Sequence, residues 1–328
     1  MKWAVNRPEV VAKLAWIATL VGVAGVVLHF SPRWLPTVVP WLFPLVVSAV
    51  SVAPYLMSSA LAGAAIFAVL RRWIGAGMAI AVFAAAFWTQ APLYVGRMVG
   101  DDGHAVMAMQ ANLLFDGADP ASLVDEVRAR NIAVLTVNEL TPAAVEDLGR
   151  AGLDRVLPHR YLRPGNAASG TGIWSSYPLS DTVEYDGFMF NQISAAADVP
   201  SIGPVAVYAF HPVPPIVHAQ VWADELSRLH DILDRAPSDR PVIVGGDFNA
   251  TYDHSQFRAL VSGRFGDAAE QAGAGHLITY PTDKWPAPLV GIDHILTAGA
   301  CAVAAETVDL PGSDHRAVVA RLRLGREC

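Results

Sequence analysis

Residues 242–251 read VIVGGDFNAT. An apolar run enters Gly245-Gly246 and ends on Asp247, with Asn249 two positions further on. Glycine permits close backbone approach or unusual backbone angles. Strand alternation puts Asp247 and Asn249 on one side. The stretch therefore reads as a buried strand that delivers a carboxylate and a carboxamide to one place.

From His104 onward, strand-like and helix-like runs alternate around this stretch. AVMAMQANLL (105–114), IAVLTVNEL (132–140), TGIWSSY (171–177), QISAAADV (192–199) and PVAVYAFH (204–211) precede it as strands. DHILTA (293–298) and DHRAVVARLRL (314–324) follow. Asp119-Pro120 starts a helix, with proline at the first helical position. Thr141-Pro142 starts another, which Gly152 stops. Ile216 to Arg235 reads as a long amphipathic helix, with Ile216, Ala219, Ala223, Leu226, Leu229 and Leu233 near helical spacing. A short helix is expected near residues 255–261. Helices alternating with early strands, then mostly strands, indicate an α/β sandwich of mixed sheets. The roughly 225 residues from here on suffice for one well-buried domain.

The polar residues of these runs fall at strand ends. Asn112 and Glu139 end the first two strands, and His211 ends AVYAF before Pro-Val-Pro-Pro. Asp293 and His294 open one late strand, and Asp314 and His315 open the last. Loops that begin at strand ends are where a rigid scaffold carries function. Singly, each residue has an ordinary reading: a solvated strand end for Glu139, a turn or cap for Asn112, a packed loop histidine for His211, simple turns for Asp293 and Ser313-Asp314-His315. In this order they form a more specific pattern. A phosphodiester is anionic and resists hydroxide, and a hard divalent ion that neutralises it needs oxygen ligands. A carboxylate such as Asp247 can take a proton from water, and a histidine held by an aspartate can donate one. A carboxamide such as Asn249 can donate hydrogen bonds to developing charge.

Asn112 in QANL, Glu139 in NEL, GIWSSYPL (172–179), His211, GDFNA (246–250), IDHIL (292–296) and SDHR (313–316) together resemble the endonuclease/exonuclease/phosphatase superfamily. That family includes exonuclease III, deoxyribonucleases, neutral sphingomyelinases and inositol polyphosphate phosphatases. The resemblance covers about residues 103–325. It implies a four-layer α/β/β/α sandwich, deoxyribonuclease I-like, and hydrolysis of a phosphoester with Mg²⁺ or Mn²⁺. Glu139 matches the principal metal carboxylate, Asn112 the residue beside it, and Asp314 a further metal ligand or a group that supports one from behind. Asp247 matches the group that orients or deprotonates water, and Asn249 a phosphate-holding amide. His315 matches the family histidine, Asp293 the acid that fixes its tautomer, and His211 a second phosphate-facing histidine. FHPVPP replaces the Tyr-x-Pro-Asn-type segment of abasic-site endonucleases, which argues against that branch. Ser176 stands where many members have a basic residue, and the apparent loop LPHRYLRPGN offers His159, Arg160 and Arg163 instead.

The chain ahead of this region is different. Residues 1–100 hold seven of the 23 Lys/Arg and one of the 30 Asp/Glu, which leaves 16 and 29, a formal −13, for the remainder. That acidity gives no electrostatic footprint for nonspecific DNA binding. Apolar blocks at about 14–30, 45–70 and 73–95 are each long enough for a span of about 20 residues. Lys2, Arg7 and Lys13, then Arg71-Arg72, favour three crossings with a cytoplasmic N-terminus. Trp34, Trp41, Trp73, Trp88 and Tyr94 sit near block ends, as interfacial aromatics do. No small-x-small cleavage site follows the first block. The expected layout is a membrane anchor over 1–100 and a catalytic domain over 101–328, outside the cytoplasm. Cys301 and Cys328 have no zinc-like spacing; a buried thiol and a frayed terminal one are slightly favoured over a disulfide.

The leading expectation is a membrane-tethered, metal-dependent phosphohydrolase acting on nucleic acid, a lipid headgroup or a small phosphoester, with no protein partner evident. The alternative from another class is a catalytically silent binding or scaffold module of the same fold. Loss of Glu139, Asp247, Asn249 or His315 would mark the silent case, and all four are present.

Overall fold

The computed structural model describes residues 7–33, 41–97, 103–285, 288–325 and 328. Lys2, Trp34 and the boundary expected at residues 100–101 lie outside these. The chain divides into two compact units: Met1–Pro92 with Asp253–Ser255, and Leu93–Tyr252 with Gln256–Cys328.

The first unit is helical: α1 (Arg7–His29), α2 (Phe43–Ser51), α3 (Ala53–Val69) and α4 (Trp73–Gln90). α1, and α4 with its 3₁₀ extension to Tyr94, are long and apolar enough to cross a membrane. α2 and α3 pass that test together but are bent by 65° at their junction. Pro54 stands in the first turn of α3, where its missing N–H costs nothing. α1 presents small residues to α3. A side chain at Gly22 would meet Ala60, and one at Gly25 would meet the backbone of Met57. Small residues of this kind let apolar helices approach closely.

The second unit is built on two six-stranded mixed sheets. Its strands are β1 (His104–Asn112), β2 (Val134–Asn138), β3 (His159–Arg163), β4 (Thr171–Ser175), β5 (Leu179–Tyr185), β6 (Gln192–Val199), β7 (Gly203–Phe210), β8 (Val242–Asp247), β9 (Gly266–Asp267), β10 (Asp293–Ala298), β11 (Ala300–Val308) and β12 (Ala317–Leu324). One sheet has the order β11-β12-β1-β2-β4-β3, the other β5-β6-β7-β8-β10-β9. Only β1–β2 and β7–β8 pair parallel among these neighbours.

Alternation along each strand sorts the core. Val106, Ala108, Val134 and Ile173 of the first sheet pack with Ile193, Val207, Ile243 and Ile295 of the second. The residues between them, Met109, Ala111, Leu135 and Val137, pack against α5 (Pro120–Ala129) and α6 (Pro142–Ala151) through Leu123, Val127 and Leu148. The short α7 (Leu153–Val156) completes that layer. α8 (Pro215–Asp234) buries Trp222, Leu226, Leu229 and Leu233. α9 (Ser255–Leu260) and α10 (Ala268–Ala272) are short. The α/β sandwich is thus present, with helices outside two facing sheets. Local signals set the ends of the helices. Asp119 accepts the N–H groups of Ala121 and Ser122, Thr141 caps α6, and Gly152 ends it at φ +98°.

Four details differ from the sequence expectations. The last strand starts at Ala317, so Asp314 and His315 lie in the turn before it. Residues 159–163 are an edge strand rather than a loop, because alternate positions pair with β4. Its arginines are spent on ion pairs, Arg160 with Asp154 and Arg163 with Glu184. Ile216 is not part of the buried stripe of α8; it is 80% exposed. The non-helical backbone of His218 (φ −147°, ψ 81°) takes the first turn out of register with the rest. Finally, Cys301 and Cys328 form a disulfide, with Cα atoms 5.3 Å apart. The pairing of β11 with β12 sets Ala300 opposite Leu324, which brings the two cysteines within reach.

Candidate active site

β8 ends on Asp247, whose side chain lies between the two sheets' polar ends. The glycines before it are explained by close approach. A Cβ at Gly245 would sit 2.0 Å from Oγ1 of Thr136 on β2, and one at Gly246 would sit 2.3 Å from the carbonyl oxygen of Phe210 on β7. No larger residue lets β8 reach this position unchanged.

Asp247 Oδ2 is the hub of the site. It accepts from Asn112 Nδ2 at 3.0 Å, and it lies 3.6 Å from His211 Nε2 and 3.7 Å from His315 Nε2. The other oxygen, Oδ1, accepts the backbone N–H of Asn249 at 2.9 Å. Asn249 adopts a left-handed backbone (φ +49°), which asparagine tolerates. Its side-chain amide donates to Pro212 O at 3.1 Å. Asn112 also donates to Glu139 Oε1 at 3.2 Å, so one carboxamide joins two carboxylates. Its own oxygen accepts from Leu114 N. As placed, Asn112 turns its N–H groups, not its oxygen, toward the acids.

Glu139 follows β2 with φ +56°, a left-handed angle that costs a residue with a Cβ roughly 1–2 kcal/mol. Its Oε2 is buried without a hydrogen-bond partner. Burial pushes the Glu139 carboxyl above the ordinary carboxylate range, against the bond from Asn112. Asp314 is half-buried and shifted upward, also by burial.

His315 Nδ1 pairs with Asp293 Oδ2 at 2.7 Å. Burial alone would lower the imidazole, but the charges of Asp293 and Asp247 raise it to about 10. Both carboxylates favour the protonated ring, with Nδ1 facing Asp293. Asp247 is pushed up to about 7, first by burial and then by Asp293. In register, Asp293 on β10 stands directly opposite Asp247 on β8. The turn that holds His315 is fixed from both sides. Ser313 Oγ accepts the His315 N–H and donates to Asn112 O. His211 is gripped at its main chain by Gln192, which accepts from its N–H and donates to its carbonyl, both at 2.7 Å. Both its ring nitrogens are buried without a hydrogen-bond partner. Burial, then the charge of His315, lowers this imidazole to about 3.

The eight residues given site roles in the sequence reading meet at this edge of the sandwich: Asn112, Glu139, His211, Asp247, Asn249, Asp293, Asp314 and His315. Three of them, Asp247, Asp293 and His315, each offer one ligand atom, and these lie within 4.8 Å of one another. The unpartnered Glu139 Oε2 and Asp293 Oδ1 add two buried acceptors that no donor satisfies. Such a concentration of oxygen acceptors fits a hard divalent cation. Of two further positioning residues, Asn138 escaped the sequence reading and His294 was marked there only as opening a strand. Asn138 Oδ1 accepts from Asp247 N at 2.8 Å and from Gln110 Nε2 at 2.7 Å. His294 bonds Asp267 Oδ2 at 2.7 Å and Ala250 O at 2.9 Å, directly behind Asn249.

Comparison with known proteins agrees with this fold. The pattern of the Endonuclease/Exonuclease/phosphatase family matches residues 109–315. No curated protein matches the chain. Among solved structures, D. rerio TDP2 complexed with single strand DNA product is similar over 67% of this chain and 99% of its own, at 16% identity and TM-score 0.58. An endonuclease/exonuclease/phosphatase from Beutenbergia cavernae is similar over 68% and 72%, at 21% identity and TM-score 0.54. A functionally unknown conserved protein from Enterococcus faecalis V583 is similar over 67% and 100%, at 16% identity and TM-score 0.51. At these identities the likeness is one of fold. The matched family pattern spans well over half of the sequence and every one of the eight site residues, and the chain belongs to the endonuclease/exonuclease/phosphatase family.

Proposed function

We propose that this protein is a divalent-metal-dependent phosphoesterase that hydrolyses a phosphodiester. The observation that supports it most is the meeting of Glu139, His211, the Asp247–Asn249 strand end and the Asp293–His315 pair at one sheet edge.

Glu139 is the residue best suited to hold Mg²⁺ or Mn²⁺, since its Oε2 is buried and unpartnered; Asp314 is the next carboxylate, and Asn112 can join them only with its oxygen turned inward. His315 is a poor ligand while protonated, so we read Asp247, Asp293 and His315 as a proton-handling row instead. When bound, the cation neutralises phosphate charge and stabilises the leaving oxygen. Asp247, pushed up to about 7, is matched to accept a proton from water near neutral pH. The His315 imidazolium supplies positive charge and a proton at Nε2, held in place by Asp293 at Nδ1. His211, neutral and fixed through Gln192, presents an N–H to a phosphate oxygen. Asn249 has two amide protons and spends one on Pro212, which leaves the other for the phosphate.

The same reading places the enzyme on a membrane anchor formed by the N-terminal helices, with the catalytic unit outside the cytoplasm. α1 and α4 have the required length and apolarity. The Cys301–Cys328 disulfide supports an oxidising compartment for the catalytic unit.

The test is hydrolysis of bis-p-nitrophenyl phosphate by the full chain in detergent, with Mg²⁺ or Mn²⁺. Turnover is expected with metal, to be lost with chelator, and to fall by at least about 10²-fold in Asp247→Ala and His315→Ala. Metal-independent turnover, or turnover unaffected by either variant, would remove the proposal.

A further inference from the structure

α8 buries one acid. Glu225 is 1% exposed and lies among the residues of that helix that face the core, with Trp222, Leu226 and Leu229. It stands three positions from Trp222 and four from Leu229, where helical spacing calls for an apolar side chain. A carboxylate buried there is costly unless hydrogen bonds satisfy it. Glu225 has two, both from backbone amides of loops. Oε1 accepts the N–H of Met189 and Oε2 that of Val213, each at 2.7 Å. Burial pushes the carboxyl above its ordinary range, against these two bonds. With a donor at each oxygen, the geometry suits the ionised form, which only accepts.

The two loops that Glu225 joins converge on one side chain. Met189 precedes Phe190, whose ring packs 4.8 Å from the His211 imidazole. Val213 follows His211 by two residues. Gln192 grips the main chain of His211 and also donates to Phe190 O at 3.0 Å. Arg228, one turn beyond Glu225, donates to Gly187 O in the same turn as Met189. Neither imidazole nitrogen has a hydrogen-bond partner, and Asp247 Oδ2, at 3.6 Å from Nε2, is too distant to be one. The ring therefore takes its direction from its own backbone and from Phe190. A group aimed in this way is only as well placed as the loops that carry it.

We propose that Glu225 is a positioning residue for the hydrolysis: by tying residue 189 to residue 213 it sets the direction in which the His211 imidazole meets the phosphate. The inference rests on the phosphoesterase reading above. Glutamine at 225 keeps the size of the side chain, but its amide nitrogen sets a donor against one of the two N–H groups, so one loop is released.

The test is a double-mutant cycle on bis-p-nitrophenyl phosphate with Mn²⁺, using the full chain in detergent. In Glu225→Gln, kcat is expected to fall at least about tenfold, with KM within about twofold of the parent. Glu225→Asp keeps the charge but is one methylene short of the loops, and its kcat is expected to fall between. His211→Ala removes one phosphate donor and leaves Glu139, Asp247 and His315 in place, so turnover is expected to persist at about 10²-fold below the parent. In that background Glu225→Gln is expected to lower kcat by no more than about twofold, because the group it positions is gone. The rise in melting temperature with Mn²⁺ is expected to match the parent in both Glu225 variants. Equal losses from Glu225→Gln with and without the His211 side chain would make Glu225 a residue of general stability and overturn the inference. So would a Glu225→Gln enzyme with parental kcat, or loss of the cooperative melt in both Glu225 variants. No turnover by the parent would instead remove the phosphoesterase reading, and the inference with it.

Discussion

The side-chain oxygen of Asn138, on one sheet, accepts the backbone N–H of Asp247, on the other, at 2.8 Å. Both residues are buried, and 109 positions separate them in the chain. Gln110 donates to the same oxygen, and Thr136 donates in turn to Gln110. A buried polar row thus fixes how the sheets meet at the site. Asn138→Leu strands the Asp247 N–H and the Gln110 amide. A loss of about 2–4 kcal/mol in urea unfolding is expected, together with a fall in kcat that exceeds any change in KM. A variant as stable and active as the parent would show that the sheet contact is held elsewhere.

Gly245 and Gly246 make separable predictions. Alanine at 245 meets a side-chain hydroxyl, which can rotate away; alanine at 246 meets the Phe210 carbonyl, which cannot. Gly245→Ala should cost about 1–3 kcal/mol and recover in part with Thr136→Ala, as coupled neighbours do. Gly246→Ala should cost more and gain nothing from that second change. Thermal melts of the four variants decide it; equal losses at 245 and 246 would contradict the close-approach account.

Metal binding should be readable without catalysis. A cation bound only by the folded state stabilises by about 2.7 kcal/mol at a hundredfold excess over Kd. The melting temperature should rise with added Mn²⁺. In Glu139→Gln that rise should disappear. Without metal, at pH 8, the same variant should melt higher than the parent, because it no longer carries an ionised carboxylate with an unpartnered oxygen. A Glu139→Gln protein with the parent's full Mn²⁺ shift would place the cation on other ligands.

The pH dependence has a definite sign. Asp247 sits at about 7 in the fold, above its ordinary 3.8, so the folded state holds that proton more tightly than the unfolded chain. No penalty exists below about pH 4, and stability declines as pH rises to 7. His315 sits at about 10, above its ordinary 6.5. Its contribution is full below 6.5 and is lost as pH rises through 10. Metal-free protein should therefore lose stability with rising pH in both windows. Asp247→Asn should flatten the first and His315→Gln the second, by calorimetry in chelator at fixed ionic strength. An Asp247→Asn profile parallel to the parent between pH 4 and 7 would refute this assignment.

What the sequence makes legible follows from which signals are local. Buried strands announce themselves as apolar runs, and a polar residue at the end of such a run stands out; that is how Glu139, His211 and Asp247 could be marked. Caps at Asp119 and Thr141 act within one turn and are read directly. Edge strands are another matter. β3 and β5 are half-exposed and carry charge, and β11 has four alanines among its nine residues, so neither pattern nor propensity exposes them. Asn138 was missed although it stands beside Glu139, because its role exists only once two sheets face each other. A polar pair, Asn-Glu, closing a buried strand was the available hint. Ile216 was assigned to the wrong surface because periodicity presumes an unbroken helix, and His218 breaks it. The cysteine pair needed the register of β11 on β12, which no spacing reveals.

That disulfide has a topological consequence. β11 runs away from Cys301, the turn bearing Asp314 and His315 reverses the chain, and β12 returns toward Cys328. The turn bearing Asp314 and His315 is thereby enclosed in a covalent ring, with the link at the opposite end of the hairpin. A proteolytic cut anywhere within the ring leaves the protein in one piece, with both halves of the hairpin still tethered to the sheet. A chain nicked beside His315 would still hold that histidine at the site.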